Sequence, residues 1–336
     1  MTGIGAGIGI IGWGMYVPER VVTNDELGAR FGVDDDWIVQ RTGIRERRVV
    51  GAGQTTASLA VEAGRRAIER SGLRPDQISH LILASGTPEQ LSPATSAFVQ
   101  HELGTAGGAH DVNAECASFA YGLITAAGLL AIDPRPILLI GSDTHTLIAN
   151  PDDRDLGVLV GDGAGAVVLA PHTESWLTAW DLGCDGSKTE SLKIPAGGSR
   201  MPSTDETVRQ KLHYAQINGN EIYLHAVRYT VRSVRRTLQA AKLAPDEIDH
   251  LLPHQANLRI ISSILEHARV PRDKLITNIE RYGNTGAASM PIALTEALDS
   301  GRIARGDRIL FAGFGAGMVW ATALVEWGIG DPTPWP

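Results

Sequence analysis

Short runs rich in β-branched and leucine residues, bounded by Gly, Asp or Pro, alternate along the chain with longer segments whose apolar residues recur every three or four positions. The short runs predict strands over 80–84, 137–141, 165–170, 250–252 and 308–311. The longer ones predict helices over 56–71, 116–132, 223–241, 257–268 and 290–299. Such alternation indicates α/β layers, with strands buried between helices.

The pattern repeats. Gly72-Leu-Arg-Pro-Asp-Gln-Ile-Ser-His-Leu81 is answered about half a chain later by Lys242-Leu-Ala-Pro-Asp-Glu-Ile-Asp-His-Leu251, with Leu, Pro, Asp, Ile, His and Leu coinciding. At nearly the same offset, Ile137-Leu-Leu-Ile-Gly141 is answered by Ile309-Leu-Phe-Ala-Gly313. A duplicated chain with halves 1–172 and 173–336 is the simplest account. No low-complexity linker divides them. The stretch 173–207, rich in Gly, Ser and Thr, reads as a surface excursion able to cover a pocket.

Composition narrows the function. With 336 residues, 43% hydrophobic and 20% charged, the chain can bury a large core. A net charge of −8, with five Lys among thirty basic residues, argues against a nucleic-acid surface. Two cysteines, Cys116 and Cys184, are too few for a disulfide framework and favour a reducing compartment. Residues 1–17 carry no basic region or cleavage-like site, and no apolar run is long enough to span a bilayer. A cytoplasmic protein without membrane or nucleic-acid partners is therefore expected.

Four segments carry chemistry. In Asp111-Val-Asn-Ala-Glu-Cys116 a polar strand end meets a cysteine at the start of a small-residue helix. The unpaired amides and dipole there favour the thiolate, so a lowered thiol pKa is expected. His254 stands at a strand-to-helix junction, where functional side chains gather. Asn284 lies in the Gly-flanked loop Arg281-Tyr-Gly-Asn-Thr-Gly286, where tight backbone geometry can aim an amide. Gly313-Phe-Gly-Ala-Gly317 is a strand exit whose amides can approach a ligand closely. A nucleophile, a proton acceptor and oxyanion donors are the parts thiol acyl chemistry needs.

Other chemistries lack support. Gly7-Ile-Gly-Ile-Ile-Gly12 fits a dinucleotide fingerprint, yet no helix follows it. His250 and His254 suggest a metal pair, but Pro253 breaks the helix that would put both rings on one face. There is no Walker A sequence, GxSxG elbow or CxxC pair.

Trp37-Ile-Val-Gln-Arg-Thr-Gly-Ile-Arg45, Gly161-Asp-Gly-Ala-Gly-Ala166, Pro253-His-Gln-Ala-Asn257 and Tyr282-Gly-Asn-Thr285 together resemble the β-ketoacyl-acyl-carrier-protein synthase III family, of the thiolase superfamily. The resemblance runs from about Ile8 to Trp327. It implies a thiolase-like five-layered αβαβα sandwich of two similar halves, the first carrying the nucleophilic Cys and the second the His and Asn, usually as a homodimer.

By the same resemblance, Cys116, His254 and Asn284 are catalytic. Cys116 takes an acyl group from acyl-CoA and condenses it decarboxylatively with a malonyl thioester on acyl carrier protein, starting a fatty-acid or polyketide chain. The amides of Cys116 and Ala316 hold the oxyanion. Trp37, Arg41, Arg154, Asn257 and Arg259 match positions that contact CoA or the carrier protein, and Leu91, Ser92, Tyr223 and Phe314 match the acyl pocket. No cofactor or metal is implied. Two departures bear on substrate: Glu115 precedes the nucleophile where a small residue is usual, and Leu91-Ser92-Pro93 replaces a commonly aromatic edge. A larger or more polar acyl chain is one consequence. A Glu115 side chain pointing away from Cys116 is expected, because an inward carboxylate raises the thiol pKa.

Two further readings stay open. A diverted member of the family moves an acyl group to a hydroxyl or amine of a specialised metabolite without losing CO₂. A non-catalytic partner subunit usually lacks one of the three catalytic residues, all of which are present here.

Overall fold

Leu59, Ala60, Ala63, Ala67 and Ile68 lie buried along one side of residues 56–71, which form a helix over the predicted span. Thr55 caps its start with a reciprocal Ser58 bond, and Gly72 ends it at φ 72°. The computed structural model describes residues 7–172 and 176–328.

Nine strands build two sheets: β1 (Ile8–Tyr16), β2 (His80–Ala84), β3 (Gly108–Val112), β4 (Ile137–Thr144), β5 (Asp162–Pro171), β6 (Trp176–Cys184), β7 (His250–Pro253), β8 (Arg308–Gly315) and β9 (Val319–Glu326). The first sheet runs β1-β5-β4-β2-β3 and the second β7-β8-β9-β6. Six helices complete the layers: α1 (Thr56–Ser71), α2 (Thr95–Leu103), α3 (Ser118–Leu130), α4 (Gly219–Ala241), α5 (Leu258–Ala268) and α6 (Ser289–Asp299). α1 and α2 cover the outer face of the first sheet, while α4, with α5 packed beside it, covers that of the second. α3 and α6 fill the space between the sheets, which gives five layers, αβαβα.

The duplication is visible strand by strand. β2 pairs in parallel with β4, aligning His80 with Ile137, as β7 pairs in parallel with β8, aligning His250 with Ile309. β4, β5 and β1 then run antiparallel in turn, as do β8, β9 and β6. The counterpart of β3 shrinks to a parallel bridge between Leu251 and Leu275. Every strand of the first sheet lies before residue 172, and every strand of the second begins at 176 or later.

The buried middle layer explains the small-residue composition of α3 and α6, most of whose residues are buried. Phe119 on α3 and Phe311 on β8 meet across it with ring centroids 6.3 Å apart. Gly141 on β4 lets α6 seat closely, since a Cβ there would collide with the Ala287 carbonyl.

Several expectations need correction. The predicted 116–132 helix opens with a 3-10 turn, Glu115–Ala117, and ends at Leu130. The predicted 223–241 helix starts earlier, at Gly219, because the Asn218 side chain caps it. Within the supposed surface excursion at 173–207, β6 is an edge strand of the second sheet, held there by pairing with β9. Downstream of it, Leu192–Lys193 pairs with Gln216–Ile217 as a short two-stranded ladder, and Leu192, Lys193 and Ile217 line the cavity described below. The Gly7–Gly12 fingerprint lies in and beside β1, an antiparallel strand against α1 rather than a strand feeding a helix.

Candidate active site

Cys116 sits where β3 gives way to α3. Glu115 takes φ 52°, a left-handed conformation unusual for a non-glycine residue, and the chain turns sharply there. The Ser118 hydroxyl holds the turn, accepting from the Ala114 N–H at 2.8 Å and donating to the Glu115 carbonyl at 2.5 Å. Cys116 is only 9% exposed, at the wall of a cavity of about 500 Å³ that also receives His254 and Asn284. The three predicted residues are thus brought together from both halves.

His254 continues beyond β7, its N–H donating to the Ala312 carbonyl of β8 at 2.9 Å. Its ring meets Phe314 edge-on, and Nδ1 lies 2.8 Å from the Ser289 hydroxyl at the start of α6. That hydroxyl oxygen accepts from the Gln255 N–H at 3.2 Å, so its own proton is free to go to Nδ1. Assigning that proton to Nδ1 puts the ring proton on Nε2 and makes Nε2 the donor. Burial, and secondarily His145, lower the His254 pKa to about 3, so the ring is neutral at neutral pH. The Gln255 amide fixes this junction, donating to the Pro253 carbonyl at 2.6 Å and accepting from the Thr277 hydroxyl at 2.7 Å.

Asn284 is clamped between the halves. Its N–H donates to the Leu159 carbonyl at 2.8 Å, and its carbonyl accepts from the Gly161 N–H at 2.9 Å. Its Oδ1 accepts from the Gly286 N–H at 2.9 Å, which leaves the amide nitrogen as the donating end. The Gly161-Asp162 motif earns its place here, with Asp162 accepting from the amides of Thr146 and Val50.

Asp143, at the end of β4, escaped the sequence reading. Fully buried, it accepts from the Ser85 hydroxyl, the Gly86 and Thr87 amides and the Thr87 hydroxyl on Oδ1, and from the Ala287 N–H on Oδ2. It ties a loop of the first half to the loop after Asn284. The only signal in the sequence was a carboxylate at the C-terminal end of a strongly apolar strand.

The thiol expectation is reversed. Burial pushes the Cys116 pKa up, and the Asp143 and Glu115 carboxylates push it further, opposed only by the residue's own backbone N–H. Glu115 does not leave the site either. It lines the same cavity, and burial first, then Asp143, raises its carboxyl to about 7, against His145.

Gly315 and Ala316 reach the cavity wall beside Cys116 from the end of β8. A Cβ at Gly315 would lie 2.9 Å from the Cys116 nitrogen, so a glycine is needed for β8 to come this close.

The residues expected to bind CoA form one connected group at the mouth. The Arg41 and Arg154 guanidiniums lie 4.3 and 4.9 Å from the ring centre of Trp37. Asn257 donates to the Arg41 carbonyl at 3.0 Å and accepts from the Arg259 N–H at 2.8 Å, and both Asn257 and Arg259 line the cavity. Of the expected acyl pocket, Tyr223 and Phe314 line the cavity, whereas Leu91 and Ser92 do not. Leu91 is 84% exposed, in a loop whose ends are joined by the Glu89 N–H donating to the Thr95 hydroxyl at the start of α2. Ile148, Leu156, Leu159 and Val160 form the apolar wall instead.

Residues 110–186 match the sequence profile of 3-oxoacyl-[acyl-carrier-protein (ACP)] synthase III, and residues 238–327 match that of its C-terminal part. The chain is 44% identical over 319 residues, 94% of its length and 97% of the relative's, to a protein of Roseiflexus sp. named β-ketoacyl-[acyl-carrier-protein] synthase III. The chain belongs to the ketosynthase III family. Within that family it is also 41% identical to an acetoacetyl CoA synthase of a Streptomyces species, over 95% of this chain and 98% of that one. The crystal structure of the Pseudomonas aeruginosa ketosynthase III superposes with a TM-score of 0.88 at 33% identity, covering 98% of this chain and all of that one. The αβαβα sandwich is therefore the thiolase fold of ketosynthase III enzymes.

Proposed function

We propose that this ketosynthase III loads an acyl group from acyl-CoA onto Cys116 and condenses it with a malonyl thioester, releasing CO₂. The observation that carries this reading is the convergence of Cys116, a neutral His254 and the Asn284 amide on one cavity wall.

In the first half-reaction the Cys116 sulfur attacks the thioester carbonyl, and coenzyme A leaves carrying the thiol proton. The tetrahedral oxyanion faces the backbone N–H groups of Cys116 and Ala316. In the second, the malonyl C–CO₂ bond breaks, and its electron pair moves through C2 onto the thioester oxygen. His254 Nε2–H and the Asn284 amide donate to that oxygen, which stabilises the enolate without a full positive charge in the site. C2 then attacks the acyl-Cys carbonyl, expelling the Cys116 thiolate, which takes a proton from solvent to restore the thiol. No step requires a metal or redox cofactor.

The mouth suits a phosphorylated carrier. Arg41, Arg154 and Arg259 offer planar forks for phosphate oxygens, and Trp37 offers a ring for a base. The same arrangement accepts CoA and the phosphopantetheine arm of acyl carrier protein. A homodimer is part of this reading, supported by β3, which lies at the edge of the first sheet and is paired on one side only. No helix among the described residues is long and apolar enough to cross a membrane, and we place the enzyme in the cytoplasm.

Intact-protein mass spectrometry with an acyl-CoA panel, followed by malonyl-carrier protein, tests the sequence of events. An acyl adduct on Cys116 that is discharged as a β-ketoacyl thioester supports condensation. Discharge only to a hydroxyl or amine, with malonate untouched, establishes plain acyl transfer instead.

A further inference from the structure

The cavity lining carries polar side chains beyond the catalytic three. Lys193, Asn257 and Arg259 line the cavity together with Glu115 and His145, Cys116 and the apolar side chains named above. The condensation described above uses neither Glu115 nor His145.

Both side chains lack a hydrogen-bond partner among the described residues. His145 is only 8% exposed, and its nearest opposite charge, Asp143 Oδ2, is 3.6 Å from Nε2, beyond hydrogen-bond reach. Asp143 is already occupied by five other donors. Glu115 Oε2 lies over Gly86, within 2.9 Å of where a Cβ would stand. His145 Nε2 lies 2.7 Å from the corresponding point on Gly286, next to the Asn284 loop. The polar atoms of both face the space of the cavity rather than being sealed in protein, and a saturated chain placed against them would displace water there without replacing its hydrogen bonds.

We infer that Glu115 and His145 form a polar part of the acyl subsite that selects a short acyl group bearing a hydroxyl over the saturated chain of equal length. This rests on Cys116 being the acyl acceptor. One carboxylate and one imidazole lining the same cavity offer an acceptor and a donor. A hydroxyl uses both, whereas an ammonium can only donate and a carboxylate can only accept. Near neutral pH the Glu115 carboxyl, raised to about 7 by burial and Asp143, takes both protonation states and pairs with a hydroxyl in either. A site built to hydrogen-bond a substrate hydroxyl rejects the analogue lacking it far better than an apolar pocket rejects an added one.

The test compares rates of Cys116 acylation by 3- and 4-hydroxybutyryl-CoA with the rate for butyryl-CoA, with acetyl-CoA as reference, read by intact mass. The wild type should favour one hydroxyacyl group by about tenfold or more. His145→Leu and Glu115→Ala should bring that ratio to one or below, and His145→Gln, which keeps a hydrogen-bonding edge, should restore part of it. Equal or faster acylation by butyryl-CoA in the wild type overturns the inference, as does a ratio unchanged in both variants; ordered water would then satisfy the pair. Failure of every thioester, acetyl-CoA included, to acylate Cys116 overturns the parent reading and this one with it. Acylation without selectivity overturns this one alone.

Discussion

Ser289 Oγ lies 2.8 Å from His254 Nδ1, and through that bond the first residue of α6 decides which ring nitrogen faces the substrate. The same oxygen receives the Gln255 N–H, so the hydroxyl proton is directed at the ring. Ser289→Ala frees the imidazole to rotate and to take either tautomer. Loss of one buried hydrogen bond of about 1.4 kcal/mol corresponds to roughly a tenfold fall in the rate of CO₂ release. Single-turnover assays with pre-acylated enzyme measure it; the loss should be larger there than in the acylation step.

Burial of the His254 ring makes a prediction about acid. A base whose pKa falls from 6.5 to about 3 on folding binds fewer protons in the native state across that range. Its contribution to stability is therefore present above pH 6.5 and is lost as pH falls toward 3, on the order of 5 kcal/mol at most. Urea titrations between pH 7 and 4 should show a shallower decline for His254→Asn than for the wild type. Parallel declines would place the neutral, desolvated ring in doubt.

Glu115 works in the opposite sense. A carboxyl raised from 4.5 to about 7 binds more protons folded than unfolded, so the stability it confers is lost as pH rises through that interval. Glu115→Gln should be the more stable protein at pH 8, by up to about 3 kcal/mol, and near parity at pH 5. The same substitution removes a charge that holds the Cys116 thiol up. Alkylation of Cys116 by iodoacetamide should therefore quicken several-fold at pH 8 and change little at pH 6, where Glu115 is already protonated.

Much of this was legible beforehand because the signals were local. α1 and β2 fall on their predicted residues, since amphipathic spacing, a Thr cap and a C-terminal Gly act within one segment. The Cys116, His254 and Asn284 set was readable for a related reason: each sits in a short motif at an element boundary. What stayed hidden depends on distant partners. β1 and β3 are glycine-rich or polar runs that become strands only because a neighbour pairs with them. A helix start predicts a lowered thiol, but Asp143, 27 positions away, and burial between two sheets set the opposite sign. His145 entered the site without any motif, and Leu91 lies outside the cavity of its own chain.

Close approach of β8 to the nucleophile turn yields a packing prediction. In Gly315→Ala the new methyl would meet the Glu115 Cβ at 2.8 Å and the Cys116 nitrogen at 2.9 Å, with backbone on both sides unable to give way cheaply. Acylation of Cys116 should fall by about a hundredfold, in line with removal of an oxyanion donor. Far-UV circular dichroism should stay close to that of the wild type.

Release of labelled CO₂ from carboxyl-labelled malonyl-carrier protein, followed in one turnover, tests the division of labour within the site. Acyl-dependent release should be rapid in the wild type and absent in Cys116→Ala. In His254→Ala and Asn284→Ala, Cys116 should still become acylated, while release falls by about a hundredfold or more. Release at the wild-type rate in either of the last two variants, or acylated Cys116 with no release from any malonyl donor in the wild type, would contradict decarboxylative condensation at this cavity.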